Sequence, residues 1–229
     1  GSLFAFRLRE EGLASSRNMF PFRGFGWIEG PSSEPDGACL AAGALVQADA
    51  VHEGVTAVHH EEPGLAVAID GFIDNRNMLA VEDGWRADED GPRGDASLIL
   101  AAWRRWGEGG LRPLRGPFAL VITDRRHGRE PRIVLYREPL GRRGLHYVVR
   151  PGLLLVATEP AALLAHPLVP PAPDERWLTH HFALSRPTDN RSPFQDIRKL
   201  LPGECLVWTP GEMRLSREPV PLGCLHIRY

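Results

Sequence analysis

The stretch from Leu65 to Leu79 does most to limit what this chain can become. Leu65-Ala-Val-Ala-Ile69 is apolar, too short for a helix, and preceded by Pro63-Gly64, so it reads as a buried strand. Asp70-Gly71 breaks the run, Phe72-Ile73 resumes it, and Asp74-Asn-Arg-Asn77 reads as a polar turn. A glycine directly after a buried strand lets the backbone approach another group closely and leaves its N–H to donate. An acidic or amide side chain beside such an N–H can frame a reacting oxygen. An ordinary Asp-Gly turn accounts for the same residues, and the local sequence leaves both readings open.

The rest of the chain narrows the class. With 229 residues it can bury a core. Its 43% hydrophobic and 24% charged residues are those of a soluble globular protein. A net charge of -2 argues against a nucleic-acid partner. The Arg–Arg pairs at 104–105, 125–126 and 142–143 are scattered, and Lys199 is the only lysine, a bias of composition rather than a phosphate site. Cys39, Cys205 and Cys224 show neither a disulfide framework nor zinc spacing, which favours a reducing cytoplasm. No apolar run is long enough to span a membrane, and no signal peptide is recognisable. Gly1-Ser2 resembles a cloning scar.

Local patterns give the elements. Strands are expected at Leu3–Leu8, Ala38–Val46 and Thr56–His60, with a long Gly/Pro/Ser-rich loop over 9–37. On a strand His59 and His60 point to opposite faces and cannot share a metal ion; the same doubt covers His180-His181. Asp95 to Trp106 is the clearest helix. Asp95 stands at the N-cap position and Gly107 after the last turn, with Leu98, Ile99, Ala102, Trp103 and Trp106 on one apolar face. Asp95 either caps this helix or reaches into a pocket. Strands at 117–123, 132–136, 145–149, 153–157 and 201–208 are separated by turns, so the sheets are largely antiparallel. Short helices are expected at 159–165 and 175–184. With no repeat and no linker, residues 1–229 form a single α+β domain.

The order of motifs resembles the N-terminal glutaminase domain of asparagine synthetases, a class II glutamine amidotransferase domain of the N-terminal-nucleophile (Ntn) hydrolase fold. Ile69 to Asn75 is similar to the family's NGEIYN, Gly94 to Ile99 to SDTEVI, and Leu114 to Leu120 to LNGMFAF. Tyr136 to Tyr147 is similar to RDRLGKKPLYY, Ala157 to Pro167 to ASELKALLAHP, and Arg198 to Gly203 to RRLPPG. The resemblance runs from about Leu65 to Trp208 and implies a four-layer αββα sandwich of two antiparallel sheets between helices.

It also implies a site, and the departures bear on function. Such glutaminases use an N-terminal Cys, and no Cys lies near this start; Ser2 could stand in only with Gly1 removed. The family's oxyanion-hole Asn falls on Asp70, while the glycine that donates its N–H is kept as Gly71. An ionised Asp offers only acceptors where an amide would donate. Asp95 matches the Asp that holds the substrate's amino group. The carboxylate-gripping Arg should lie in the segment matched by Leu40 to Gln47, which has none, and Arg23-Gly24 matches only half of RGPD. Ser2, Asp70, Gly71 and Asp95 are therefore expected as a vestigial pocket with no catalytic residue and no metal.

The resemblance implies a C-terminal synthetase domain, in the same or a partner chain, that adenylates a carboxylate with ATP and Mg and forms an amide; such a domain would begin near Tyr229. No cofactor is expected in the domain itself. β-Lactam synthetases and the macrolactam synthetases that close lasso peptides carry degenerate first domains of this kind, so a peptide substrate fits. Neither nucleic acid nor membrane is an expected partner, and a homodimer is left open. Two other readings remain: a stand-alone interaction module of the same fold, and an active amidohydrolase using Ser2 or an unseen nucleophile.

Overall fold

The computed structural model describes residues 26–31, 38–39, 57–62, 64–82, 92–126, 132–150, 153–185, 189–209 and 212–217, with side chains described only from 64 onward. The expected strand at 3–8 and most of that at 38–46 lie outside them, as do Ser2, Arg23-Gly24 and the 40–47 segment.

The short apolar runs do become strands. Strand β4 (Leu65–Gly71) pairs antiparallel with β3 (Ala57–Glu62) on one side and β5 (Phe118–Asp124) on the other. β5 pairs with β6 (Arg132–Arg137), β6 with β10 (Glu204–Thr209), and β10 with β11 (Glu212–Arg217). This sheet runs β11-β10-β6-β5-β4-β3. A second sheet, β2-β1-β8-β7-β9, is built from β1 (Gly26–Pro31), β2 (Ala38–Cys39), β7 (His146–Arg150), β8 (Leu153–Ala157) and β9 (Arg198–Lys199). Every pairing among the described strands is antiparallel. The helices are α1 (Arg76–Glu82), α2 (Pro92–Trp106), α3 (Pro160–Leu164) and α4 (Glu175–Phe182).

Strand alternation sorts the side chains into three layers. Leu65, Val67 and Ile69 pack with Leu98, Ile99, Ala102 and Trp103 of α2, on the outer face of the first sheet. Ala66, Ala68, Ala119 and Val121 face the other way and meet Tyr147, Leu154 and Val156 between the two sheets. Val148, Leu155 and Ala157 turn outward again, against Ala162 and Leu163 of α3. The layers are thus helix, sheet, sheet, helix, the α+β sandwich that the motif order implies.

Four local expectations are corrected. β1 lies inside the stretch read as a loop over 9–37, because pairing Gly26–Glu29 with Leu154–Ala157 overrides a composition poor in strand formers. Of the polar turn expected at 74–77 only Asp74-Asn75 is a turn, and Arg76 already starts α1. Helix α2 begins at Pro92, three residues earlier than its apolar stripe suggests, so Asp95 sits within its first turn and is not its N-cap. Trp106 is 38% exposed, its ring under the Arg105 guanidinium at 4.5 Å. The α-helix ends there, and a 3₁₀ helix follows from Gly107, whose φ is +58°, to Leu111.

Candidate functional site

Asp70 has the same strand parity as Ala66 and Ala68, so its carboxylate points between the two sheets. Its partners in register are Ala119 on β5 and Ala57 on β3. The group is only 6% exposed. Burial pushes its pKa up, against the lowering effect of Arg143, and Glu159 adds to the rise.

The loop that follows is pinned from below. Gly71 has φ +114°, and a Cβ there would lie 1.9 Å from the Pro117 carbonyl oxygen, so no other residue fits. Gly116 makes the reciprocal approach: a Cβ on it would lie 2.3 Å from the Phe72 carbonyl oxygen. Asn75 then clamps the two segments. Its Oδ1 accepts from the Arg115 N–H at 2.8 Å, and its Nδ2 donates to the Pro113 carbonyl at 2.8 Å. The Asp74 N–H donates to the Arg115 carbonyl at 2.7 Å. The spacing of the Asp70-Gly71 and Asn75 motif is thus the spacing of one strand end and one side-chain clamp.

Asp95 meets this loop from α2. Its Oδ2 accepts the Ile73 N–H at 3.0 Å, and its Oδ1 lies 3.5 Å from the Arg76 guanidinium. Burial raises the Asp95 pKa, the Ile73 hydrogen bond and Arg76 lower it, and Asp74 raises it further. Asp95 does not cap α2; its hydrogen bond to Ile73 ties the helix to the turn after Gly71.

A third segment closes the same end. The Arg137 guanidinium donates to the carbonyls of Arg143, Leu200 and Gly141 at 2.6, 2.7 and 2.6 Å. Glu138 accepts from the Leu140 N–H at 2.5 Å and from the Arg142 N–H. These bonds fix the 138–144 turn, which holds Arg143, a positive charge that lowers the Asp70 pKa. The sequence offered no sign that Arg143 and Glu159 would act electrostatically on Asp70, since the three residues lie far apart in the chain and on separate segments.

The side chains of His59 and His60 lie outside the described residues, while His180 and His181 have other partners. His181 stacks on Trp177 with ring centroids 4.8 Å apart, and His180 Nδ1 lies 2.9 Å from Ser185 Oγ, both on or just after α4. Among the described residues no group of His, Cys, Asp and Glu is arranged to hold a metal ion. No described helix is long and apolar enough to cross a membrane.

The chain is similar in sequence to several known proteins. A relative named amidase chyE, from Penicillium rubens, is 30% identical over 119 residues, covering 52% of this chain and 16% of its own length. Amidase chry2 from Gibberella zeae is 27% identical over 157 residues, covering 67% of this chain and 22% of its own. The chain therefore spans about a fifth of the length of these relatives. Among solved structures, glutamine phosphoribosylpyrophosphate amidotransferase from B. subtilis superposes with a TM-score of 0.49 at 18% identity, over 85% of this chain and 43% of that one. An allosteric regulatory enzyme of purine biosynthesis gives 0.46 at 14% identity, with the same coverage. The model of the glutamine amidotransferase domain matches residues 29–218, nearly the whole chain, and with two antiparallel sheets between helices this chain belongs to the class II glutamine amidotransferase family.

Proposed function

We propose that this chain is the glutaminase-like domain of an ATP-dependent, amide-forming ligase of the asparagine synthetase kind, and that it does not hydrolyse glutamine itself. The observation that carries this reading is Asp70. A carboxyl stands beside Gly71, between the sheets, where the resemblance calls for an amide that donates to an oxyanion. Losing one such donor costs on the order of 10²–10³ in rate, and losing a nucleophile costs far more. Ser2, Asp70, Gly71 and Asp95 then form a vestigial pocket, and the domain acts as a scaffold that shapes the entrance to a synthetase domain. Relatives about five times longer than the matched segment leave ample chain for that second domain. ATP and Mg would act there, on an amine-bearing substrate such as a peptide that forms a macrolactam or β-lactam.

The test is direct. Purified protein mixed with glutamine releases no more glutamate and ammonia than buffer, and steady turnover would overturn the reading. Rebuilding the site with an N-terminal Cys and an Arg within 40–47 should give glutaminase activity that depends on Asp70→Asn by roughly 10²-fold or more. Equal activity with Asp and Asn would mean that Asp70 does not stand at the oxyanion position.

A second reading is favoured by the raised Asp70 pKa and by the amidase names of the relatives. A neutral carboxyl can donate a hydrogen bond as an amide does. The chain would then be an active amidohydrolase with Ser2 or another nucleophile. Turnover of an amide that disappears in Ser2→Ala would select it.

A further inference from the structure

Asp95 is the buried carboxylate whose partners do not satisfy it. It is 4% exposed, and its Oδ2 accepts one backbone hydrogen bond, from Ile73. Its Oδ1 is buried and makes no hydrogen bond. A buried carboxylate needs both a counter-charge and donors to its lone pairs. Arg76 supplies the charge from 3.5 Å, too far for a good hydrogen bond. Asp74, on the same turn, adds a like charge that makes the need greater.

The cation is held in place by the backbone rather than by chance. Arg76 is the first residue of α1 and directly follows Asn75, whose two hydrogen bonds anchor the turn to residues 113 and 115. The Arg76 side chain is 24% exposed, so it reaches Asp95 from the solvent side. A primary ammonium is smaller than a guanidinium and carries three donors on one atom. It could approach Oδ1 to ordinary hydrogen-bond distance, if the space were not taken.

We propose that Arg76 occupies the cation seat of Asp95, so that the pocket as folded excludes ligands that present an ammonium group there. This deepens the reading of a silent glutaminase-like pocket and rests on it: the seat that a free amino acid's ammonium would use is filled by the chain's own side chain. The pocket accordingly discriminates against free amino acids and accepts ligands without a charged amine at that point.

Thermal unfolding of the full chain tests this with methylammonium against tetramethylammonium, at equal ionic strength. The second ion carries the charge but no N–H. Wild type and Arg76→Lys should respond equally to both ions. Arg76→Ala should be stabilised by methylammonium, with an apparent affinity about ten-fold or more above that for tetramethylammonium, the ratio expected for a charge-assisted hydrogen bond. Should the Ala variant not fold, Arg76→Ser, which is likewise short and uncharged, takes its place in the same comparison. Equal responses of the charge-deleted variant to both ions overturn the proposal, as does a methylammonium preference already present in wild type. Glutamine turnover by wild type would sink the proposed function, whereas a charge-deleted variant blind to methylammonium in a chain silent toward glutamine sinks only the seat.

Discussion

Replacing Asp124 with Asn should weaken the fold more than any other single charge deletion at the far end of the first sheet. Asp124 ends β5, paired in register with Leu65, at the opposite end of the strands from Gly71, and is fully buried. It accepts from Trp103 Nε1 at 2.9 Å, from Arg126 Nε and Nη2 at 2.8 and 2.7 Å, and from Arg132 Nη2 at 3.2 Å. Arg132 also lies over the Trp103 ring at 4.9 Å. The Asn variant keeps the shape but turns an NH₂ toward two guanidinium groups. Removing one partner of a fully buried pair costs about 3–5 kcal/mol. Here the two arginine side chains are 22% and 27% exposed, so water partly resolvates them, and about 2–3 kcal/mol is the reasoned loss. With a urea dependence of about 2 kcal/mol per molar, the midpoint should fall by roughly 1 M or slightly more. Trp103 fluorescence reads the transition at the site itself.

The pH dependence has a definite sign. Burial pushes the Asp124 carboxyl up, but hydrogen bonds from Arg126, Trp103 and Arg132 outweigh it and hold the group well below the usual carboxylate range. A depressed folded pKa gives stability that is present above the unfolded value of about 3.9 and is lost as pH falls below it. The gap between wild type and Asp124→Asn should therefore hold from neutral pH to about pH 5 and close on further acidification. Asp189→Asn is the control: its 3.2 Å ion pair with Arg191 is 41% exposed on the Asp side and should matter by about 0.5 kcal/mol or less. A loss for Asp124→Asn no larger than the control's would refute the reasoning.

Two further outcomes follow from the site. Asn75→Ala removes the clamp on the Pro113 carbonyl and the Arg115 N–H, and should cost about 1–3 kcal/mol, with amide exchange quickening first at Arg115. Equal exchange there in both proteins would show that the clamp is decorative. His146 is lowered to about 4 by burial, partly offset by its hydrogen bond to the Thr158 carbonyl, so the native state binds fewer protons than the unfolded chain between that value and 6.5. Stability should fall as pH drops through that window, by up to about 1.4 kcal/mol per pH unit, and His146→Gln should flatten the slope in urea titrations at several pH values.

The strands at 65–71, 118–124, 132–137 and 153–157 could be read from the sequence because short apolar runs between turn residues have few other solutions. Helix α4 was legible at nearly its observed length, whereas its Asp174 cap, which accepts the Trp177 N–H at 2.9 Å, was not singled out. Helix α1 was not, since Arg76-Asn-Met-Leu carries no helical period and its start is imposed by the Asn75 clamp.

The site divides in the same way. Asp70, Gly71 and Asp95 are recognisable in sequence because each belongs to a motif whose local spacing reflects one strand end or one helix turn. Their chemical states are not. The raised pKa of Asp70 comes from its burial between the sheets, with Glu159 adding to the rise and Arg143 opposing it, and the bond of Asp95 depends on a helix that starts at Pro92. Strand and turn identity follow from the covalent chain over a few residues, where sterics and the burial of alternate side chains act. Charge state and ion pairing follow from which groups are brought together across the sandwich, and burial there makes a neighbour within a few ångströms outweigh everything written locally.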